Sequence, residues 1–240
     1  MSNIDDVNKS IEENEKKESI GTQKEKSIHQ FIKYYLSQNI MDHEVNINRY
    51  IIDVFINDHI YEIQTRNFNL LRGKLNRLLD KYPFTICYPI YRTKTIYRID
   101  DEGVVEQIRK SPKKECIFSI GDELYKIKQY LINKNLSFKI LILDIDEYAK
   151  LRITKRHQQR LTPIDKRVKD VVEVIDILSP IDWKKYLIDV PFTKKDFIKE
   201  YKVTQKEAGC MLNVLVYLGV IEIVGKDRNA YIYKKIMWAN

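Results

Sequence analysis

Three oxygen-bearing side chains, Asp53, Glu62 and Gln64, interrupt a stretch that is otherwise strongly apolar. Each acid is bracketed by hydrophobic residues, in the runs YIIDVFI and IYEIQ, which is the pattern of strands buried on both faces. A carboxylate placed there needs a counter-charge. Two acids and an amide in this setting suit coordination of a hard divalent cation by oxygen ligands. The plain alternative is an exposed acid pair screened by water and salt.

The elements that must position these groups are a pair of strands. Residues 45–56 and 59–66 are rich in β-formers, and Asn57-Asp58 between them suits the positive φ angles of a two-residue hairpin turn. Counting back from that turn pairs Ile56 with His59, Phe55 with Ile60, Val54 with Tyr61 and Asp53 with Glu62. Like charges directly opposite are destabilising, and a bound cation relieves them. Gln64 shares the face of Glu62, while Tyr61 and Ile63 point the other way.

Around the hairpin the spacing predicts helices. Ile28, Phe31, Ile32 and Leu36 recur at helical intervals, and Tyr35 adds bulk to that face. Asn67 is the expected N-cap of a helix to about residue 81, with Leu71, Leu75, Leu78 and Leu79 as its buried stripe. Lys74 falls within that stripe, so it either snorkels to solvent or reaches the carboxylates. Tyr82-Pro83 stops the helix, 84–90 and 95–99 read as strands, 100–103 as a turn, and 109–114 (RKSPKK) as a basic loop. A helix at 121–133 and a strand at 138–144 follow. The expected fold class is α/β, a mixed sheet flanked by helices.

Residues 1–26 carry five lysines and seven acids without apolar periodicity, a disordered or loosely helical tail. Residues 150–165 read as a basic connector containing His157, an exposed residue rather than a catalytic one, and 165–178 as an amphipathic helix up to Ser179-Pro180. Further on, Thr193 and Thr204 with Glu207 cap two helices, Gly219 stops the second, and a β-hairpin turning at 225–229 follows. Helix, turn, helix, hairpin is the layout of a winged helix. Its phosphate candidates are Lys206, Lys226 and Arg228, and a protein–protein or homodimer module is the alternative reading. The expected domains are therefore 1–26, 27–149, 150–180 and 181–240.

The net charge of +8, with −2 on residues 1–26 and +10 on the rest, points to a polyanionic partner, nucleic acid before membrane. No apolar stretch reaches the length of a membrane span. Cys87, Cys116 and Cys210 lack zinc or disulfide spacing, and the composition is cytoplasmic and compatible with an AT-rich bacterial genome.

Glu44, then Asp53, then Glu62-Ile63-Gln64, a helix and a strand together resemble the PD-(D/E)XK, restriction-endonuclease-like nuclease superfamily over roughly residues 27–145. More narrowly, the YEIQT run, the YPI strand, the RKSPKK loop and the C-terminal winged helix resemble an uncharacterised bacterial branch of it. The resemblance implies Mg²⁺, or Mn²⁺, held by Asp53, Glu62 and the Ile63 carbonyl. It implies Glu44 as an accessory carboxylate and Gln64 where the superfamily usually has lysine, a role that Lys74 takes over from the following helix. The implied reaction is phosphodiester hydrolysis in DNA, with Arg66, Arg72, Arg92, Lys94, Arg109, Lys110, Lys113 and Lys114 guiding the backbone. A non-catalytic DNA-binding regulator and an RNA-directed nuclease are the competing expectations.

Overall fold

The computed structural model describes residues 4–15, 27–153 and 159–236. In chain order the helices are α1 (Ile4–Glu15), α2 (Ser27–Leu36), α3 (Arg72–Leu78), α4 (Gly121–Lys126), α5 (Lys194–Tyr201) and α6 (Gln205–Tyr217). The strands are β1 (His43–Ile47), β2 (Tyr50–Ile56), β3 (His59–Ile63), β4 (Phe84–Ile99), β5 (Val105–Lys110), β6 (Leu136–Ile153), β7 (Gln159–Ile177), β8 (Phe192–Thr193), β9 (Ile221–Asp227) and β10 (Ala230–Lys235). The fold is mixed α/β: a seven-stranded sheet ordered β1-β2-β3-β4-β6-β7, with β5 also on β4, and a three-stranded sheet ordered β8-β10-β9. The large sheet is mixed because β1/β2 and β4/β5 pair antiparallel while β3/β4 pair parallel. Two compact units are formed.

The first unit comprises Met1–Ile56, Tyr91–Lys114 and Leu141–Val174. Here α1 packs on α2 and buries Val7, so part of the acidic N-terminal segment is helical. The apolar stripe of α2 buries Ile28, Phe31 and Ile32. Asn48 and Arg49 turn β1 into β2 at φ 51° and 71°, the left-handed pair that a tight hairpin requires. At the turn before β5, the Asp100 carboxylate accepts from the Glu102 and Val104 N–H groups, and Gly103 sits at φ 87°. Arg109 and Lys110, expected in a loop, lie on β5, whose six residues are all exposed.

The second unit comprises Asn57–Ile90, Glu115–Ile140 and Ile175–Asn240. Asn57 and Asp58 adopt φ 49° and 60°, the conformation expected of the turn dipeptide. After β3 the chain crosses over through α3 and returns as β4, with Ile60 beside Phe84 and Ile63 beside Cys87. Parallel pairing demands such a crossover. Asn67 stands at the N-cap of a 3₁₀ turn, Phe68–Leu71, that precedes α3, but it is left-handed at φ 62° and its side chain makes no capping hydrogen bond. The Phe68 N–H is held instead by the buried Glu123 carboxylate, at 2.7 Å. In the C-terminal part, the predicted capping box of Thr204 with Glu207 forms, the predicted cap Thr193 forms a box of its own with Asp196, and Gly219 ends α6 at φ 66°. Phe118 is fully buried against Trp183, Phe197 and Tyr201.

The main correction concerns 150–178. The expected connector and helix are instead the end of β6 and the 19-residue β7. Valine and isoleucine recur here at intervals that fit a helix, but β-branching favours the strand, and Ile175 and Ile177 are buried around an exposed Asp176. His157, Lys155 and Arg156 lie outside the described residues. Among the described residues, no helix is long and apolar enough to cross a membrane.

Two outcomes test this packing. A Cβ on Gly121 would meet the Met211 Cβ at 2.6 Å and the Glu207 carbonyl oxygen at 2.7 Å, where α4 and α6 cross. Gly121→Ala should cost about 1–3 kcal/mol of stability in chemical denaturation, through overpacking. His59, hydrogen-bonded to the Thr85 hydroxyl at 2.7 Å, has its pKa held below the ordinary 6.5 by burial and then by Lys139. The folded state therefore binds fewer protons than the unfolded one, and stability is lost as pH falls from 6.5 through the folded value. His59→Gln should flatten that part of the stability–pH curve.

Candidate functional site

The residues singled out in the sequence fall into both units, and each set is built by its own helix and strands. In the second unit the centre is Glu62. Period-two alternation on β3 places Ile60 and Glu62 on one face, and both are buried, Glu62 to 1% exposure. The same face receives α3, whose Leu75 and Leu78 are buried together with Leu71 of the preceding 3₁₀ turn. Lys74 lies at the margin of that stripe, with its side chain 19% exposed, and its Nζ donates to Glu62 Oε1 at 2.6 Å. Of the two fates open to Lys74, the structure takes the one directed at the carboxylate. Gln64 follows β3; its N–H donates to the Cys87 carbonyl at 3.0 Å and continues the parallel ladder past Ile63. Its side chain is half-buried.

In the first unit the acids are Asp53 and Glu44. The antiparallel register sets His43 against Val54 and Val45 against Ile52, so Glu44 falls across from Asp53. Two acids opposite one another repel, and α2 supplies the remedy. His29 and Lys33, four residues apart and therefore on one side of α2, reach one acid each. His29 Nε2 lies 3.3 Å from Asp53 Oδ2, and Lys33 Nζ lies 2.8 Å from Glu44 Oε1. The Lys33 side chain is 4% exposed, whereas that of Glu44 is 65% exposed. Glu44 itself has a left-handed backbone, φ 53°. Sequence reasoning missed His29 and Lys33; the signal was present as two basic residues spaced i, i+4 on an otherwise apolar helix.

The basic residues expected to guide a polyanion divide into committed and uncommitted groups. Arg92 grips Asp144 through Nε and Nη2, which holds the Asp144 carboxyl below its ordinary pKa. Lys94 pairs with the buried Glu147 at 3.1 Å, which Lys166 also approaches at 3.6 Å. Arg72 donates to the Lys126 carbonyl, and Lys206 pairs with Asp122 at 2.7 Å. Lys226 sits over the Tyr231 ring at 4.8 Å, and Arg228 is exposed at the hairpin turn with φ 52°. Arg66, Arg109, Lys110 and Lys114 are exposed, with no ion-pair partner among the described residues, and Lys113 follows on the same segment.

Oxygen donors of the kind a hard divalent cation takes occur in each unit separately, the Asp53 and Glu44 carboxylates in the first and the Glu62 carboxylate with the Ile63 main-chain oxygen in the second. Among the described residues, no three His, Cys, Asp or Glu side chains gather into a metal-holding group. The first-unit acids and Glu62 each have a basic partner at short range.

Residues 26–178 match a family described as a domain of unknown function, DUF8091. An uncharacterised protein of Treponema pallidum (strain Nichols) is 30% identical over 150 residues, which cover 58% of this chain and 60% of that protein. The chain thus spans less than two thirds of that relative's length. No solved structure matches.

The ion pairs separate by burial. Lys74→Met removes the ammonium that lies 2.6 Å from a carboxylate at 1% exposure and should destabilise the fold by about 3–5 kcal/mol. The double change with Glu62→Leu should recover most of that loss. Lys33→Met leaves an acid whose side chain is 65% exposed, so its cost in the same urea titration should be clearly smaller.

Proposed function

We propose, for a chain that belongs to the DUF8091 domain family, that it is a divalent-metal-dependent nuclease hydrolysing phosphodiester bonds in nucleic acid, DNA in the first instance, in a cytoplasmic setting. The observation that carries this reading is the buried Glu62 on β3 with Lys74 Nζ from the following helix at 2.6 Å. Burying a carboxylate and an ammonium is costly, and hydrophobic residues of the same volume would fill that space at least as well. A charged pair kept there fits chemistry better than scaffolding. The order α2, β1, β2, β3, α3, β4 supports the resemblance to the PD-(D/E)XK superfamily.

In this reading Asp53 and Glu62 are the metal carboxylates and Glu44 is an accessory acid. Bound Mg²⁺ or Mn²⁺ supplies an activated water and neutralises charge on the phosphate. Lys74 contributes the fixed positive charge that Gln64 cannot, and the Gln64 amide orients water by hydrogen bonding. The phosphate backbone is gripped by Arg66, Arg109, Lys110 and Lys114, whereas Arg92 and Lys94 are engaged by Asp144 and Glu147. The segment β8-α5-α6-β9-β10, as a winged helix, adds Lys226 and Arg228.

A second reading has a specific observation in its favour. Asp53, Glu44 and Glu62 each lie within ion-pair distance of a basic side chain, as befits a non-catalytic nucleic-acid binder that retained the fold.

Incubation with plasmid, single-stranded DNA and RNA in Mg²⁺ or Mn²⁺ separates the two. The nuclease should cut, and Asp53→Asn and Glu62→Gln should each lose at least about 100-fold in rate, as for removal of one stabilising group from a charged transition state. A protein that shifts DNA and cuts nothing under either metal is the binder. In both readings, Arg109→Ala with Lys110→Ala should flatten the salt dependence of DNA binding by about 0.9 for each phosphate that is no longer neutralised. Arg92→Ala should leave that slope unchanged.

A further inference from the structure

We infer that Tyr125, Lys128, Asn213 and Tyr217 form a platform that binds an unpaired base and its phosphate, so that the nucleic acid this chain recognises is single-stranded. The inference rests on the nucleic-acid reading above and adds strandedness to it. All four residues belong to the second unit.

Tyr125 is in the last turn of α4, and Lys128 opens the 3₁₀ turn Lys128–Tyr130 behind it. Asn213 and Tyr217 are four residues apart on α6, hence on one side of that helix. Lys128 Nζ joins the two elements. It lies 5.4 Å from the centre of the Tyr125 ring and 5.0 Å from that of Tyr217, and donates to Asn213 Oδ1 at 3.0 Å. A lone Lys–Tyr contact at a surface is worth only about 0.5–1 kcal/mol and signifies little. Two rings converging on one ammonium are a different matter, because both rings remain partly open to solvent: Tyr125 is 47% exposed and Tyr217 41%.

The neighbouring cations give the contrast. Lys126 is paired with Glu123 and Lys206 with Asp122, so their charges are neutralised within the protein. Lys128 has no carboxylate partner among the described residues; its contacts are the two rings and an amide. An uncompensated cation suits a phosphate. An exposed aromatic face suits a base, since every base has a π-face of its own. The amide hydrogens of Asn213 have no partner among the described residues and can meet a base edge. Bases in a duplex are already stacked on one another, so such a platform is open only to a strand whose bases are unpaired. The notion of α6 as a helix that reads a duplex through Lys206 is correspondingly weakened by the Lys206–Asp122 pair, at 2.7 Å.

The test is fluorescence anisotropy of the full chain with labelled oligothymidine and with a duplex of equal length, in EDTA so that binding is read without cleavage. Tyr125→Ala and Tyr217→Ala should each weaken single-strand binding by about 5- to 100-fold, the range for removal of one base stack. Tyr125→Phe and Tyr217→Phe should bind as the wild type does, because stacking needs the ring and not the hydroxyl. Duplex affinity should change little in all four. Full single-strand affinity in the double alanine variant overturns the inference, as do equal losses on strand and duplex, or a wild type that binds no single strand. Plasmid cutting in Mg²⁺ is scored separately. A wild type that binds strands through these tyrosines but cuts nothing sinks the nuclease reading alone. One that cuts while the alanine variants keep full affinity sinks the platform alone.

Discussion

A carboxylate at 1% exposure in the middle of a sheet constrains everything built next to it. Ionised and alone, Glu62 would cost several kcal/mol, so a cation must arrive from an element on the same face of the sheet. That element is α3, and its position is dictated by the parallel pairing of β3 and β4, which requires a crossover over one face. The register of the leucine stripe then sets where Lys74 can point. A shift of α3 by one residue would swing Lys74 some 100° around the helix and bring an apolar or exposed position onto the acid. The ion pair, the crossover and the leucine stripe therefore specify one another.

The same logic recurs at the β1/β2 hairpin with a different helix. Register forces Glu44 opposite Asp53, and α2 answers with Lys33 and His29 one turn apart. Acids on strands met by bases on helices are thus a repeated device in this protein. It uses cations internally, which changes how the basic composition should be read. Arg92, Lys94 and Lys206 count toward the net charge of +8, yet each is held by a carboxylate of the protein itself. Arg109 and Lys110 on the exposed β5 have no ion-pair partner among the described residues, and Lys128 sits between two tyrosines.

Much of the site's local structure was legible in the chain. Asn57-Asp58 is a turn because its side chains tolerate left-handed backbone, and the two Thr-led capping boxes form because Thr and the acid three residues on satisfy each other's N–H groups. Those signals are short-range and survive whatever the rest of the chain does. The helix expected at 165–178 does not form, for the opposite reason. Its valines and isoleucines fit either period, and only pairing in the large sheet decides for the strand. Asn67 reads as a cap because caps and left-handed residues draw on the same amino acid; the buried Glu123, 55 positions along the chain from Phe68, takes the Phe68 N–H group instead.

By itself, then, the sequence determined where acids interrupt apolar strands, which turns and caps are available, and that the folded part is basic. Each of these depends on residues within a few positions of one another. Tertiary structure alone decided which cation each acid receives, which basic residues stay uncommitted, and that Tyr125 and Tyr217, one on α4 and the other on α6, share one lysine. The physical reason is that a charge's partner is fixed by distance in space. That distance is set by sheet register and by helix packing, neither of which is written at the charged residue.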